Sequence, residues 1–158
     1  GIRDVAVTGV QTCALPISNR TLTELNNLTA SMKVARAEAL KRGLPVALCA
    51  STNGTSCSGS NNWQNGWITF IDTNGNAAMD TGDTLFKVQK AFSSTDTLVA
   101  SGSRSAISFN RDGFALNLSA QVVWVLKTAP ENTAVTRCLL VNQVGRLLET
   151  NRDGGTCS

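Results

Sequence analysis

The chain contains no histidine and no tyrosine. Without imidazole there is no Ser-His-Asp or Cys-His couple, no histidine-ligated metal, and no side chain whose ordinary pKa suits proton shuttling near neutrality. Hydrolytic chemistry would have to rest on carboxylates or cysteine alone. Charge is also sparse: 16% of residues are Asp, Glu, Lys or Arg, and 14 basic against 11 acidic residues leave a net +3. A balance that slight does not by itself imply a nucleic-acid partner. No apolar run exceeds a handful of residues, so no bilayer-spanning helix lies within this sequence. There is no internal repeat, no linker, and no CxxC pair to hold zinc. What is present suffices for one folded domain: 158 residues, 42% of them hydrophobic.

The first seventeen residues, GIRDVAVTGVQTCALPI, match neither an amphipathic helix nor a paired strand, and they lack the tripartite pattern of a signal peptide. They resemble the translation product of a sequencing-library adapter read in frame. Residues 1–17 are therefore set apart as a non-native segment, and residues 18–158 form the domain. Cys13 falls in the segment set apart, leaving Cys49, Cys57, Cys138 and Cys157. Four cysteines allow three connectivities, between which sequence does not choose. Locality favours Cys49 with Cys57 and Cys138 with Cys157, each pair closing a short polar loop. Such bridges imply an oxidising compartment, the alternative being four reduced thiols in a cytosolic protein.

Leu22, Leu25, Leu28, Met32, Ala35 and Ala39 recur at spacings of three and four, which is one face of a helix. Thr21 with Glu24 reads as a capping box, and Gly43 with Pro45 ends the pattern behind Lys41 and Arg42, so the spacing predicts a helix over 21–42. Everything after it reads as strands: 44–50, 67–72, 85–92, 105–110, 121–127 and 138–142, separated by Gly, Asn, Ser and Asp clusters. One helix followed by mostly antiparallel strands predicts an α+β domain in which a sheet packs on the helix's apolar stripe.

No catalytic set emerges. Cys49 sits in an apolar strand, where burial would raise its thiol pKa and make it inert. The carboxylates lack the paired arrangement that glycoside hydrolysis requires. The sharpest local feature is the loop from Asp72 to Asp83: with Asp72 as position one, Asn74, Asn76, the Ala78 carbonyl, Asp80 and Asp83 fall at three, five, seven, nine and twelve. These are EF-hand-like ligand positions suited to Ca2+. Against the match, position six is Ala77 instead of Gly, no helices flank the loop, and Asp83 is shorter than the usual Glu. An Asn-Gly hairpin turn explains Asn74 and Gly75 without a metal. Arg137, Arg146 and Arg152, with Arg104 and Arg111, form a candidate basic surface, for which a solvated face is the bland reading. Trp63, Trp67 and Trp124 read equally as core residues, as base-stacking platforms or, for Trp63 and Trp67, as the platform of a carbohydrate-binding module.

Five segments in order carry a family resemblance: VARAEALKRGLPVALC, WQNGWITFIDTNGN, LFKV, ISFNRDGF and RCLLVNQVGRLLETNRDGGTCS. Together, from about residue 22 to 157, they resemble the GspH/FimT family of type IV minor pilins and type II secretion minor pseudopilins. The resemblance implies a pilin-like α+β fold, with one N-terminal amphipathic helix on a mostly antiparallel sheet. It also implies a structural, non-enzymatic subunit that works with other pilin or pseudopilin subunits in assembly of the fibre tip and in protein secretion, without a small-molecule substrate. The family's prepilins begin with a leader and a very hydrophobic helix half, cleaved and N-methylated. That half is missing from this chain, so the fragment is expected to be soluble, whereas the whole subunit is anchored in the inner membrane with its head in the periplasm. FimT-like members are similar DNA receptors for natural transformation and carry a Gly-Arg-x-Arg motif. Gly145-Arg146-Leu147-Leu148 keeps the first Arg and lacks the second, with Arg137, Arg146 and Arg152 the phosphate contacts of that alternative.

Overall fold

The computed structural model describes residues 2–151 and 157, with side-chain surroundings from residue 16 onward. A single long helix, α1, runs over Ile2–Arg42. It starts well before the capping box expected at Thr21, because that pattern lies inside the helix. The Thr21 hydroxyl donates 3.0 Å to the Ser18 carbonyl one turn back, the way a helix-interior threonine satisfies itself. Glu24 is not reaching back to a cap either, since its Oε1 accepts the Ser94 hydroxyl. The C-terminal end matches the sequence expectation: Gly43 adopts a left-handed φ of 68° and donates 2.9 Å to the Ala39 carbonyl, behind the cationic Lys41 and Arg42.

Eight strands follow: β1 Val46–Ala50, β2 Gly66–Ile71, β3 Thr84–Lys90, β4 Thr97–Ala100, β5 Ala106–Phe109, β6 Val122–Lys127, β7 Arg137–Val141 and β8 Leu147–Asn151. They form two antiparallel sheets, not one, in the orders β3-β2-β1-β5 and β4-β6-β7-β8. The short β4 and the half-exposed β8 carry too little apolar patterning to be read from sequence, and only their partners β6 and β7 define them. The other six strands sit within a residue or two of their expected limits.

Leu25, Leu28, Met32, Ala35 and Ala39 of α1 are fully buried, whereas Leu22 is only half-buried. The stripe packs on β1, β2 and β5 of the first sheet and on β6 and β7 of the second. Leu48, Trp63, Trp67, Leu98, Phe109, Trp124, Leu126 and Leu139 complete this core. Each large side chain so buried contributes about 1.5–3 kcal/mol relative to exposure.

All five residues of β1 and all six of β2 are buried, because the first sheet is covered on both faces. Val46, Leu48 and Ala50 face the helix, whereas Ala47, Cys49, Ile68 and Phe70 form a second small core. Covering that outer face are Cys57 from the 51–62 loop and Ala77 and Met79 from the 72–83 loop. Cys49 is bonded to Cys57 across a Cα–Cα distance of 5.5 Å, and Cys138 to Cys157 across 5.8 Å. No helix among the described residues is long and apolar enough to cross a membrane.

Candidate functional site

Two turns of the same sequence form, Asn-x-x-Gly at 110–113 and at 142–145, meet the helix at Arg36. In each, the glycine amide donates back to the asparagine carbonyl, at 2.9 Å for Gly113 and 3.0 Å for Gly145. The asparagine side chain then accepts the amide that follows, Phe114 at 2.9 Å and Arg146 at 2.9 Å. Both glycines are left-handed, with φ 80° and 74°. The Arg36 side chain is half-buried between the turns: Nε donates 2.9 Å to the Gly113 carbonyl and Nη2 donates 3.5 Å to the Val144 carbonyl. Its charge is met by peptide dipoles alone, since no carboxylate among the described residues pairs with it.

A groove of about 380 Å³ opens beside this junction, lined by Lys33, Arg36, Ala37, Leu40, Arg146 and Leu147. Leu40, Phe114 and Val144 are exposed at 52%, 47% and 51%, an apolar rim with cations among it. Among the described residues no carboxylate pairs with Lys33 or Arg146 either. Arg146 is thus brought beside two cations of α1, Lys33 and Arg36.

Arg137 is not part of this cluster. In the β7–β8 hairpin it stands opposite Asn151, while Arg146 adjoins the turn at the other end, where Val141 faces Leu147. Four residue steps along β7 separate these ends, about 13 Å. Arg137 hydrogen-bonds to Asn151 and donates 3.3 Å to the Ser18 hydroxyl, which ties the hairpin to α1. Arg152 lies outside the described residues, as does the Cys13 side chain. Arg104 donates 3.2 Å to the Asn117 carbonyl, and Arg111 is exposed in the 110–113 turn.

The 72–83 loop is closed by its own oxygens. Asp72 is buried and accepts the amides of Gly75, Asn76 and Ala77 at 2.8, 3.1 and 2.8 Å. Asp83 accepts the amides of Thr73 and Asp80. Asp80 accepts the side-chain amides of Asn76 and Asn74, which hold its carboxyl below the ordinary value. The oxygens of Asn74 and Asn76 take the amides of Asn76 and Ala78. Among the described residues no three His, Cys, Asp or Glu side chains are grouped to hold a metal ion. The geometry gives the loop a structural task, folding Ala77 and Met79 over the first sheet.

One cluster escaped the sequence reading. Asp96, buried just before β4, receives Arg20 through two bonds of 2.9 Å and the Ala129 amide at 3.3 Å. Beside it, Glu24 is buried and accepts the Ser94 hydroxyl at 2.6 Å. Burial pushes the Glu24 carboxyl above its ordinary value, the Ser94 bond opposes this, and the charge of Asp96 adds to it. Arg20 and Asp96 stand 76 positions apart, and no local spacing announces such a pair.

The tryptophan platforms are overturned. Trp63, Trp67 and Trp124 are at most 1% exposed. Trp63 packs edge-on against Trp124 with ring centres 5.7 Å apart and donates 2.9 Å to the Arg104 carbonyl. Their rings are core, out of reach of a base or a sugar.

A long helix laid across two antiparallel sheets is a pilin-like fold. The model of the family described as "Type II transport protein GspH" matches residues 24–145, and the chain belongs to that family of minor pilins and pseudopilins. Among solved structures it is similar to the type IV minor pilin FimU of Pseudomonas aeruginosa: TM-score 0.62, 17% identity, 79% of this chain and 88% of that one covered. It is also similar to the minor pseudopilin EpsH of the Vibrio cholerae type 2 secretion system: TM-score 0.56, 8% identity, 84% and 97% covered. At these identities the two likenesses establish the fold. No curated protein sequence matches the chain.

Proposed function

We propose that the chain is the head of a structural minor pilin or pseudopilin, which acts in assembly of the fibre tip of a type IV pilus or a type II secretion pseudopilus. The observation that carries this reading is the two-sidedness of α1. Its stripe from Leu25 to Ala39 is consumed by the two sheets, while Lys33, Val34, Ala37, Leu40 and Lys41 are all exposed on the other side. Val34 and Leu40 are 40% and 52% exposed, an outward apolar surface suited to a neighbouring subunit's helix. Membrane anchoring through an apolar helix half, a periplasmic head and N-methylation are further parts of this proposal. Recovering the complete upstream reading frame tests them: it should encode a short leader and about 20 apolar residues. A conventional cleavable secretion signal there would contradict the reading. Deleting the gene then separates the machines, by loss of fibres or loss of secretion.

The non-native origin of residues 1–17 belongs to the same proposal. Two contacts that tie α1 to the rest of the domain lie beyond it: Ser18 receives Arg137 and Arg20 binds Asp96. A chain starting at Ser18 should melt at the temperature of the parent.

DNA binding is the second reading, favoured by the meeting of Arg146 with Lys33 and Arg36 around one groove. The separation of Arg137 speaks for a weak site. Duplex binding should be weak and salt-sensitive, with Arg146→Ala losing less than tenfold. A larger loss at moderate salt would reverse the order of the two readings.

A further inference from the structure

The groove beside Arg36 has a shape and a charge that together specify what fills it. Lys33, Ala37 and Leu40 stand at i, i+4 and i+7 on α1, so they share one exposed ridge of the helix. Ala37 is its small member, which lets a side chain of a facing helix settle between the Lys33 stem and Leu40. Arg36, Arg146 and Leu147 complete the lining.

The three cations have no counter-charge among the described residues, and a second copy of this helix could not supply one. Between residues 16 and 42, α1 has two acidic residues, Glu24 and Glu38. Glu24 is buried and bonded to Ser94, and Glu38 is held by Arg42 and Lys41. Two copies meeting here would set cations against cations, which costs affinity. The apolar rim then decides between sources of anion. A hydrated phosphate backbone would leave the exposed Leu40, Phe114 and Val144 uncovered, whereas an amphipathic helix covers them.

We infer that this groove receives an amphipathic helix of a different subunit, which packs apolar side chains on Leu40 and places an Asp or Glu carboxylate among Lys33, Arg36 and Arg146. The inference rests on the assembly reading above and adds the chemistry of the partner: helical, acidic, and not a second copy of this chain. Arg36 is fixed by the Gly113 and Val144 carbonyls before the partner arrives, so its remaining donors are already oriented. Lys33 and Arg146, both exposed, steer the acidic helix in and turn basic ones away.

Charge reversal in the full-length subunit, in its native host, tests this. Lys33→Glu combined with Arg146→Glu alters two exposed side chains, so the variant should melt like the parent while its recovery in sheared fibres falls at least tenfold. The neutral pair Lys33→Gln with Arg146→Gln should lose less. Suppressors that restore the reversed variant should change Asp or Glu to Lys or Arg in the helix of another pilin-type subunit. Undiminished recovery of the reversed variant, beside a failing Val34→Asp with Leu40→Asp variant, would overturn the acidic partner and leave the assembly face standing. Undiminished recovery of both variants would remove the assembly reading and this inference with it. Suppressors at acidic residues of this same chain would overturn the inference in favour of self-association. Loss of DNA uptake with full recovery in fibres would overturn it in favour of a nucleic-acid backbone.

Discussion

The Arg36 guanidinium donates to the Gly113 carbonyl at 2.9 Å, 77 positions away in sequence. This contact locks the exposed half of α1 to the 110–113 turn, and the 142–145 turn packs directly beneath it. A Cβ on Gly145 would meet the Gly113 carbonyl and lie 3.1 Å from Arg36 Nε, at a φ of 74°. Gly145→Ala should cost about 1–3 kcal/mol. Gly75→Ala, at φ 73° with nothing within 4 Å, carries the conformational penalty alone and should cost about 1 kcal/mol. Denaturant melts of the two variants measure the difference, and equal losses would contradict the close approach.

Stability should carry the signature of Glu24. Its carboxyl is raised above the ordinary 4.5, chiefly by burial, so the folded state binds that proton more tightly than the unfolded chain. The contribution is therefore favourable at low pH and declines as pH rises from the unfolded value through the folded one. Glu24→Gln keeps an acceptor for Ser94 and removes the titration. The variant should be the more stable protein at neutral pH, and its advantage should shrink between about pH 7 and about pH 4. An advantage that does not change with pH would remove the buried carboxylate from the account.

The Cys49–Cys57 bridge closes a separation of eight residues. In the chain-entropy picture that constraint is worth about 2.5 kcal/mol. It also holds Cys57 over the outer face of the first sheet. The double variant Cys49→Ser with Cys57→Ser should lose at least that amount in denaturant melts. Peptide mapping without reductant should recover 49 linked to 57 and 138 linked to 157; any crossed pairing would refute the placement of the 51–62 loop on the first sheet.

Calcium should leave the melting temperature unchanged, because the 72–83 loop already spends its carboxylates on its own amides. A calcium-dependent rise, lost in Asp80→Asn, would restore the cation reading of Asp72, Asn74, Asn76, Asp80 and Asp83.

How far the sequence was legible follows from the range of the forces involved. The stripe Leu25, Leu28, Met32, Ala35 and Ala39 and the stop at Gly43 are local periodicities, and they appear where expected. The helix start was misplaced because Thr21 and Glu24 imitate a cap inside a helix that continues N-terminally. The fully buried β1 and β2 were plain as strands, but what covers their outer face, Cys57, Ala77 and Met79, arrives from loops. The basic residues were individually visible, yet their grouping depended on the β7–β8 register, which parts Arg137 from Arg146 and places Arg146 near Lys33. Arg20 with Asp96 required the tertiary fold outright.

The most direct test of the proposed assembly role is incorporation of the full-length subunit into the fibre in its native host, with Val34→Asp and Leu40→Asp combined. Both side chains are exposed on the outward face of α1, so the double variant should melt like the parent while its recovery in sheared fibres falls at least tenfold. Undiminished incorporation of a stably folded double variant would contradict the claim that this helix face meets the neighbouring subunit.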